Sequence, residues 1–183
     1  MPVWGWILIG IAAAIVIGVV IAVPTVRTRR LKGRFGSEYD RTVEDADSRR
    51  AAEADLRDRE RRRQELDIRP LQPEARESYL EQWRSTQESF VDDPRGAVIE
   101  ADNLVLSVMR ARGYPVDDFD RRADDISVDY PDLVGNFRAA HAIAQRQSSG
   151  TVTTEELRQA MRHYRALFDE LLEADVAERV RVH

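Results

Sequence analysis

An uncharged run of 21 residues near the amino terminus, Val3 to Val23, constrains this chain more than any other feature. It reads VWGWILIGIAAAIVIGVVIAV. At a rise of about 1.5 Å per residue, a helix of this length crosses the hydrocarbon core of a bilayer, which is about 30 Å thick. The run therefore predicts a transmembrane anchor over residues 1–23. We expect the anchor to be retained, because a cleaved signal peptide carries a basic region before its apolar run and a small-residue cleavage site after it.

Charge is distributed along the chain in three blocks. The 183 residues carry 28 basic and 33 acidic side chains, a net of -5. Residues 24–36 form a basic juxtamembrane collar, with no acidic residue and five basic ones: Arg27, Arg29, Arg30, Lys32 and Arg34. Because Lys and Arg beside a membrane span stay on the cytoplasmic side, we expect the short amino terminus outside and the carboxy-terminal part in the cytoplasm. The same cations suit anionic lipid headgroups.

Two further patterns in the uncharged run concern the membrane. Trp4 and Trp6 lie where an aromatic belt is expected at the outer interface. Small residues recur every four positions, at Gly10, Ala14, Gly18 and Ala22. A face of small side chains lets two helices approach closely in lipid, so this pattern indicates a homodimer through the transmembrane helix as one possible assembly.

Residues 37–69 are predicted to form a charged helical stalk. Ser37 after Gly36 suits a helix start, and pairs such as Glu53 with Arg57 lie at i, i+4 spacing. A coiled-coil seam would have to contain Arg59 and Arg63, so a solvated helix is the favoured interpretation. The arginine run at 61–63 does not predict nucleic-acid binding, because acidic residues interleave with it.

Residues 70–175 predict a small bundle of four to five helices, followed by a tail over 176–183. Pro73, Asp93 before Pro94, and Thr153 with Glu156 are helix-start signals, whereas Gly113 is a stop signal. The longest apolar stripe contains Leu157, Met161, Tyr164, Leu167, Phe168, Leu171 and Leu172. A further inward face is expected after Tyr130-Pro131, with Val134, Phe137, Ala140, His141 and Ala144. No segment alternates with period two, so the whole chain is expected to be all-α.

Several strings in the chain resemble those of small, uncharacterised single-pass membrane proteins of actinobacteria. They are FGSEYDRTV (35–43), LDIRPL (66–71), RGYPVDDFD (112–120), AAHAIA (139–144) and LRQAMRHYRALFDELL (157–172). The resemblance covers most of the chain after residue 30. It implies a single-pass membrane protein but no activity, since that family has no assigned function or catalytic residues to carry over.

Catalytic, cofactor-binding and metal-binding motifs are not found in the sequence. There is no cysteine, no phosphate-binding glycine loop and no HExxH pair. The acidic cluster between Asp117 and Asp129 fails as a calcium loop, because Arg122 and Ala123 occupy positions that need a ligand and a glycine. Helix capping by Asp117 or Asp118 and a solvated acidic face are the favoured interpretation, while a weak cation site or a basic partner stays open.

Function is therefore predicted from architecture. The favoured hypothesis is a membrane-anchored cytoplasmic interaction or scaffold protein with no enzymatic activity, which contacts the lipid bilayer, anionic headgroups and an unidentified protein partner, and not nucleic acid. The alternative is a small-ligand-binding or enzymatic helical domain centred near His141. Its candidate polar groups are His141, Tyr164 and the aspartates of 117–125. His141 is expected at the edge of the core with one nitrogen satisfied, and His163 is expected to be exposed.

Overall fold

The computed structural model describes residues 26–147, residue 150 and residues 152–182, with side chains through Glu173. The predicted anchor over 1–23 lies outside these residues, as do Trp4, Trp6, Gly10, Ala14, Gly18 and Ala22. Within the described ranges, no helix combines the length and the apolar character needed to cross a membrane.

Helices separated by short turns and loops make up the described chain. Residues 26–35 are helical and run up to Gly36, which has a positive φ of 50°. The helices that follow are α1 (Ser37–Asp45), α2 (Arg49–Glu65), α3 (Pro73–Ser89), α4 (Pro94–Arg112), α5 (Phe119–Asp129), α6 (Val134–Gln147) and α7 (Thr154–Val182). No strand occurs in the part of the chain that the structure describes. The all-α prediction is confirmed over these residues.

Local sequence signals account for several of the helix ends. The Asp93 side chain accepts a hydrogen bond from the Gly96 backbone N–H at 2.9 Å and so caps α4. Thr153 and Glu156 form the predicted capping box at the start of α7, with contacts of 2.9 and 3.3 Å. Gly113 ends α4 at a φ of 97°, where a Cβ atom would lie 2.4 Å from the Asp67 carbonyl oxygen.

Three predicted helix ends differ in detail from the structure. Helix α1 begins at Ser37, as the sequence predicts, but its N-cap is Gly36 and no side-chain hydrogen bond caps it. The helix expected at Pro131 begins at Val134, because residues 131–133 form a turn first. The predicted tail from residue 176 is helical backbone, since α7 continues to Val182.

The chain divides into two compact units, Met1–Leu56 and Arg57–His183. The sequence placed the boundary between the stalk and the bundle at residue 69 instead. The second half of α2, from Arg57 onward, thus belongs to the same unit as the bundle. Among the described residues of the first unit, the buried apolar side chains are Leu31, Phe35, Tyr39, Ala52 and Leu56.

The second unit has a hydrophobic core built by five helices, α3 to α7. Helix α7 packs along both α4 and α6, while α3 packs on α4 and α5 packs on α6. All seven residues of the predicted α7 stripe are buried. Trp83 of α3 stacks on Phe168 of α7, with ring centroids 4.7 Å apart. The prediction of a small helical bundle is confirmed.

Candidate functional site

The predicted headgroup-binding residues lie on the helical segment 26–35. All five basic side chains, Arg27, Arg29, Arg30, Lys32 and Arg34, are exposed, whereas Leu31 and Phe35 of the same segment are buried. Lys32 forms an exposed ion pair with Asp40 at 2.9 Å. The segment therefore has one apolar side and one side that presents cations to solvent.

Glu53 fixes this segment within its unit. Its Oε1 accepts hydrogen bonds from the Thr28 hydroxyl at 2.6 Å, the Tyr39 hydroxyl at 3.0 Å and the Arg49 Nε at 3.3 Å. Burial opposes ionisation of Glu53, but these three donors outweigh it and lower the pKa of the carboxyl group. The carboxylate thus connects the 26–35 segment with α1 and α2.

The aspartates of the acidic cluster have two structural roles, helix capping and ion pairing. The Asp118 side chain caps α5 by accepting a hydrogen bond from the Arg121 backbone N–H at 2.9 Å, as the sequence predicted. Asp124 meets Arg59 at 2.7 Å and Arg138 at 3.5 Å, and Asp125 meets Arg62 at 3.4 Å. Asp129 pairs with Arg63 and accepts a hydrogen bond from Tyr114. The second half of α2 is thereby joined to α5.

Two predictions about this region are wrong for the same reason. The Arg59 side chain is only 9% exposed, so α2 is not a fully solvated stalk. The Asp125 side chain is 2% exposed, and Asp124 and Asp129 are mostly buried, so they do not form a solvated acidic face. The arginines of α2, which made a coiled-coil seam unfavourable, instead form ion pairs with aspartates of α5. Burial raises the pKa of Asp125, and the neighbouring arginines oppose that shift.

A cavity of about 410 Å³ lies beside this ion-paired region. Its charged lining consists of four carboxylates and two guanidinium groups, from Arg62, Glu65, Asp117, Asp118, Arg121 and Asp125. Leu66 and Pro115 supply an apolar part of the wall. Within the described residues, no cluster of three or more His, Asp or Glu has an arrangement that could hold a metal ion.

A groove of about 310 Å³ lies between α3 and α4. Its lining is mostly amides and hydroxyls, contributed by Gln82, Ser85, Thr86, Asn103 and Ser107, with Glu100 as the one charged side chain. Such a surface can exchange hydrogen bonds with a polar partner but offers little apolar area for burial.

His141 lies at the edge of the bundle core, as the sequence predicted. Its ring stacks on Phe119, with centroids 3.6 Å apart and planes at 9°. Nε2 lies 2.9 Å from the amide nitrogen of Gln145. Burial lowers the pKa of His141, so the neutral ring is favoured near neutral pH.

Helices α4 to α7 carry buried polar atoms that make no hydrogen bond of normal geometry, and four of them belong to residues that interact electrostatically. They are Asp102 Oδ1 on α4, Arg122 Nη1 on α5, His141 Nδ1 on α6 and Tyr164 Oη on α7. Burial raises the pKa of Tyr164, and the charge of Asp102 and a side-chain hydrogen-bonding interaction with it raise that pKa further, which keeps the hydroxyl protonated. We call these four residues the polar centre.

Sequence reasoning found only half of the polar centre. His141 and Tyr164 were named as candidates, whereas Asp102 and Arg122 were not. Asp102 lies within the apolar pattern of α4, and Arg122 was considered only as a residue that spoils a calcium loop. Their spacing in the sequence gives no signal, because only packing of α4 to α7 brings the four side chains together. His163 is half-buried rather than exposed, and burial lowers its pKa.

Comparisons with protein-family models, with curated proteins and with solved structures found no match to this chain. The candidate sites therefore rest on the chain's own geometry and chemistry.

Proposed function

We propose that this chain is a membrane-anchored helical interaction or scaffold protein, with its bundle in the cytoplasm. The order of the three charge blocks carries the proposal: an uncharged run over 1–23, a basic collar over 24–36 and a net of -10 over 37–183. A neutral block of this length suits a bilayer span, and a basic block beside it suits the cytoplasmic face. Trp4 and Trp6 would lie at the outer interface.

The exposed cations of residues 26–35 support binding to anionic headgroups. Near a membrane surface each Lys or Arg contributes about 1 kcal/mol to such binding. The buried side of the segment and the Glu53 hydrogen bonds hold these side chains on one helix. A short spacing from Val23 to Arg27 would keep the cations at headgroup depth.

The bundle would recruit a protein partner to the membrane. Anchoring raises the effective concentration of a binding module for partners at the same surface. The cavity at Arg62 and Asp125 and the groove at Gln82 and Asn103 are the partner-binding surfaces that the geometry favours. Gly10, Ala14, Gly18 and Ala22 would add self-association through the anchor.

A ligand-binding or enzymatic function near His141 is the second candidate. The polar centre favours it, because the charges of Asp102 and Arg122 act on both His141 and Tyr164. Each of the four residues also has a buried atom without a hydrogen bond of normal geometry. Groups of this kind often accompany a binding role.

Two measurements on the full chain test the membrane proposal. A reporter active only outside the cytoplasm, fused after His183, is expected to stay inactive, and a cytoplasmic reporter at the same position is expected to be active. The chain should remain in the membrane fraction after washing with high salt and alkaline carbonate. Release by either wash, or activity of the outside reporter, would contradict the proposal.

Crosslinking in intact membranes tests the interaction role. Photocrosslinkers at Ser85 and Asn103 in the groove, and at Asp117 and Arg121 beside the cavity, are expected to capture the same partner protein. A crosslinker at Arg158, an exposed residue of α7 that lines neither site, serves as the control. The interaction role is rejected if the groove and cavity positions capture no more than Arg158 does.

A further inference from the structure

The second half of α2, residues 57–65, contacts α5 through charged side chains. Its sequence is RDRERRRQE, which contains five arginines and no apolar residue. Three of these arginines pair with three aspartates of α5: Arg59 with Asp124 at 2.7 Å, Arg62 with Asp125 at 3.4 Å, and Arg63 with Asp129. We call residues 57–65 the strap, because they cover these aspartates.

The segment that follows the strap, residues 66–71, is held in a different way. Leu71 is part of the buried core of the bundle, and Leu66 packs against that core. The Arg69 backbone N–H donates a hydrogen bond to the Arg112 carbonyl oxygen at 2.9 Å. Apolar and backbone contacts therefore fix this segment, and the helix that carries the strap ends directly before it. If the ion pairs of the strap break, the strap can turn about this fixed segment while the core stays packed.

The ion pairs of the strap give a contact that another cation can replace. Desolvation of two charges offsets much of their mutual attraction, so the net stability of such pairs is modest. Burial raises the pKa of Asp125 although Arg62 opposes that shift, which reflects this desolvation cost. Asp124 also meets Arg138 of α6 at 3.5 Å, so that carboxylate keeps a cation when the strap leaves.

The surface beside the strap indicates what kind of group can replace it. Arg62 and Glu65 of the strap form part of the wall of the cavity of about 410 Å³. Four carboxylates and two guanidinium groups line this cavity, so its charge favours a cation. Leu66 and Pro115 add an apolar wall, which suits the methylene stem of an arginine side chain. The planar guanidinium group also matches carboxylates better than an ammonium group does.

We propose that the strap is an autoinhibitory element, which an arginine-bearing segment of a partner protein displaces from α5. The strap acts as the intramolecular counterpart of that segment, because its own arginines already pair with the three aspartates. Displacement turns the strap about residues 66–71 and opens the cavity whose wall it helps to form. The inference rests on the proposed interaction role of the bundle and supplies the chemistry of its partner.

Amide hydrogen exchange of the unmodified full chain, purified in an uncharged detergent, tests the displacement. The probe is a synthetic peptide of nine arginines, and a nine-residue peptide of glycine and serine is the control. The arginine peptide is expected to speed exchange of the strap amides about tenfold, because a short helix without tertiary contacts is marginally stable. Exchange in α7 over residues 157–172 should not change. Unchanged exchange in the strap, equal acceleration in α7, or equal acceleration by the control peptide would overturn the proposal.

Two variants with the same change of charge test whether the strap competes with the peptide. The strap variant carries Arg59→Gln, Arg62→Gln and Arg63→Gln. The control variant carries three changes at exposed arginines of α7, Arg158→Gln, Arg162→Gln and Arg165→Gln. The strap variant is expected to bind the arginine peptide about tenfold more tightly than the control variant, because a covered site loses affinity in proportion to the time it is covered. Equal affinities, with α7 equally protected from exchange in both variants, would contradict the competition.

Failure of this inference is distinguishable from failure of the interaction role. If the arginine peptide leaves the strap in place while the crosslinkers at Ser85 and Asn103 capture a partner protein, the autoinhibitory strap is wrong and the interaction role stands. If the peptide leaves the strap in place and no crosslinker captures a partner, both proposals are wrong. The exchange experiment uses the unmodified chain, so its result does not depend on the stability of the variants.

Discussion

For His141, the sequence predicts the position of the side chain but not the residues that surround it. Its place four residues after Phe137 on an inward helix face predicted a half-buried ring. The stacking on Phe119 and the influence of Asp102 and Arg122 depend on two other helices, α4 and α5. A sequence period identifies which side chains face the core, but it does not identify which atoms they meet.

Because two histidines are half-buried, we predict that the folded chain becomes less stable in acid. Burial lowers the pKa of both His141 and His163, so the folded state binds protons less readily than the unfolded chain. Unfolded histidine titrates near pH 6.5, so the free energy of unfolding is expected to fall as the pH drops below about 6.5. The charged groups that influence His141 are Asp102 on α4 and Asp120 and Arg122 on α5.

Urea unfolding followed by far-ultraviolet circular dichroism measures this dependence. The full chain should be less stable at pH 5 than at pH 7, and the double variant His141→Gln, His163→Gln should lose most of that difference. The carboxyl groups of Glu53 and Glu156 have lowered pKa values. Their contribution to stability is therefore lost only at a lower pH, near and below the ordinary carboxyl pKa of 4.5. An unchanged difference in the double variant would show that the histidines are not responsible.

At the scale of the element, α2 was the least predictable helix. Its sequence has charged residues on every side, which is typical of a solvated helix. The structure instead places Arg59, Arg62 and Arg63 against Asp124, Asp125 and Asp129 of α5. Opposite charges separated by more than 60 residues give no local signal. Helices α3, α4 and α7 were predictable because their apolar stripes and caps are local features.

Removal of one charge from the α2–α5 contact should destabilise the second unit. Arg59→Leu leaves Asp124 without its nearest cation, and loss of one partner of a largely buried pair is expected to cost about 2 kcal/mol of unfolding free energy. Arg61→Leu is the matched control, because its side chain is 65% exposed and its pair with Asp58 lies within the same helix. That change should cost less than about 0.5 kcal/mol. Equal losses in urea unfolding would contradict the structural role of the contact.

At the scale of the whole molecule, the net charge of -5 conceals the separation of charge along the chain. The exposed cations of the collar belong to the unit Met1–Leu56, whereas Arg59, Arg62 and Arg63, which pair with α5, belong to the unit Arg57–His183. Arginine therefore serves two roles in one chain: exposed in the proposed headgroup-binding segment, and paired with carboxylates in the bundle.

Charge reversal in the collar should change the orientation of the chain in the membrane without changing the structure of the bundle. The triple variant Arg27→Glu, Arg29→Glu, Arg30→Glu removes three cations next to the predicted anchor, so a fraction of chains is expected to insert with the carboxy terminus outside. The paired reporters after His183 measure that fraction. Arg158→Glu, Arg162→Glu, Arg165→Glu changes three exposed arginines of α7 and is expected to keep the original orientation. The orientation rule fails here if both triple variants give the same ratio.

The sequence by itself determined the helical class, the main caps and the core stripes, because helix periodicity and capping act within a few residues. It also predicts the anchor and its orientation, which depend on composition along the chain. Only the tertiary structure decided that α2 pairs with α5, and that Asp102 and Arg122 join His141 and Tyr164. Contacts of this kind depend on which helix faces meet, and that choice is made by the packing of the whole unit.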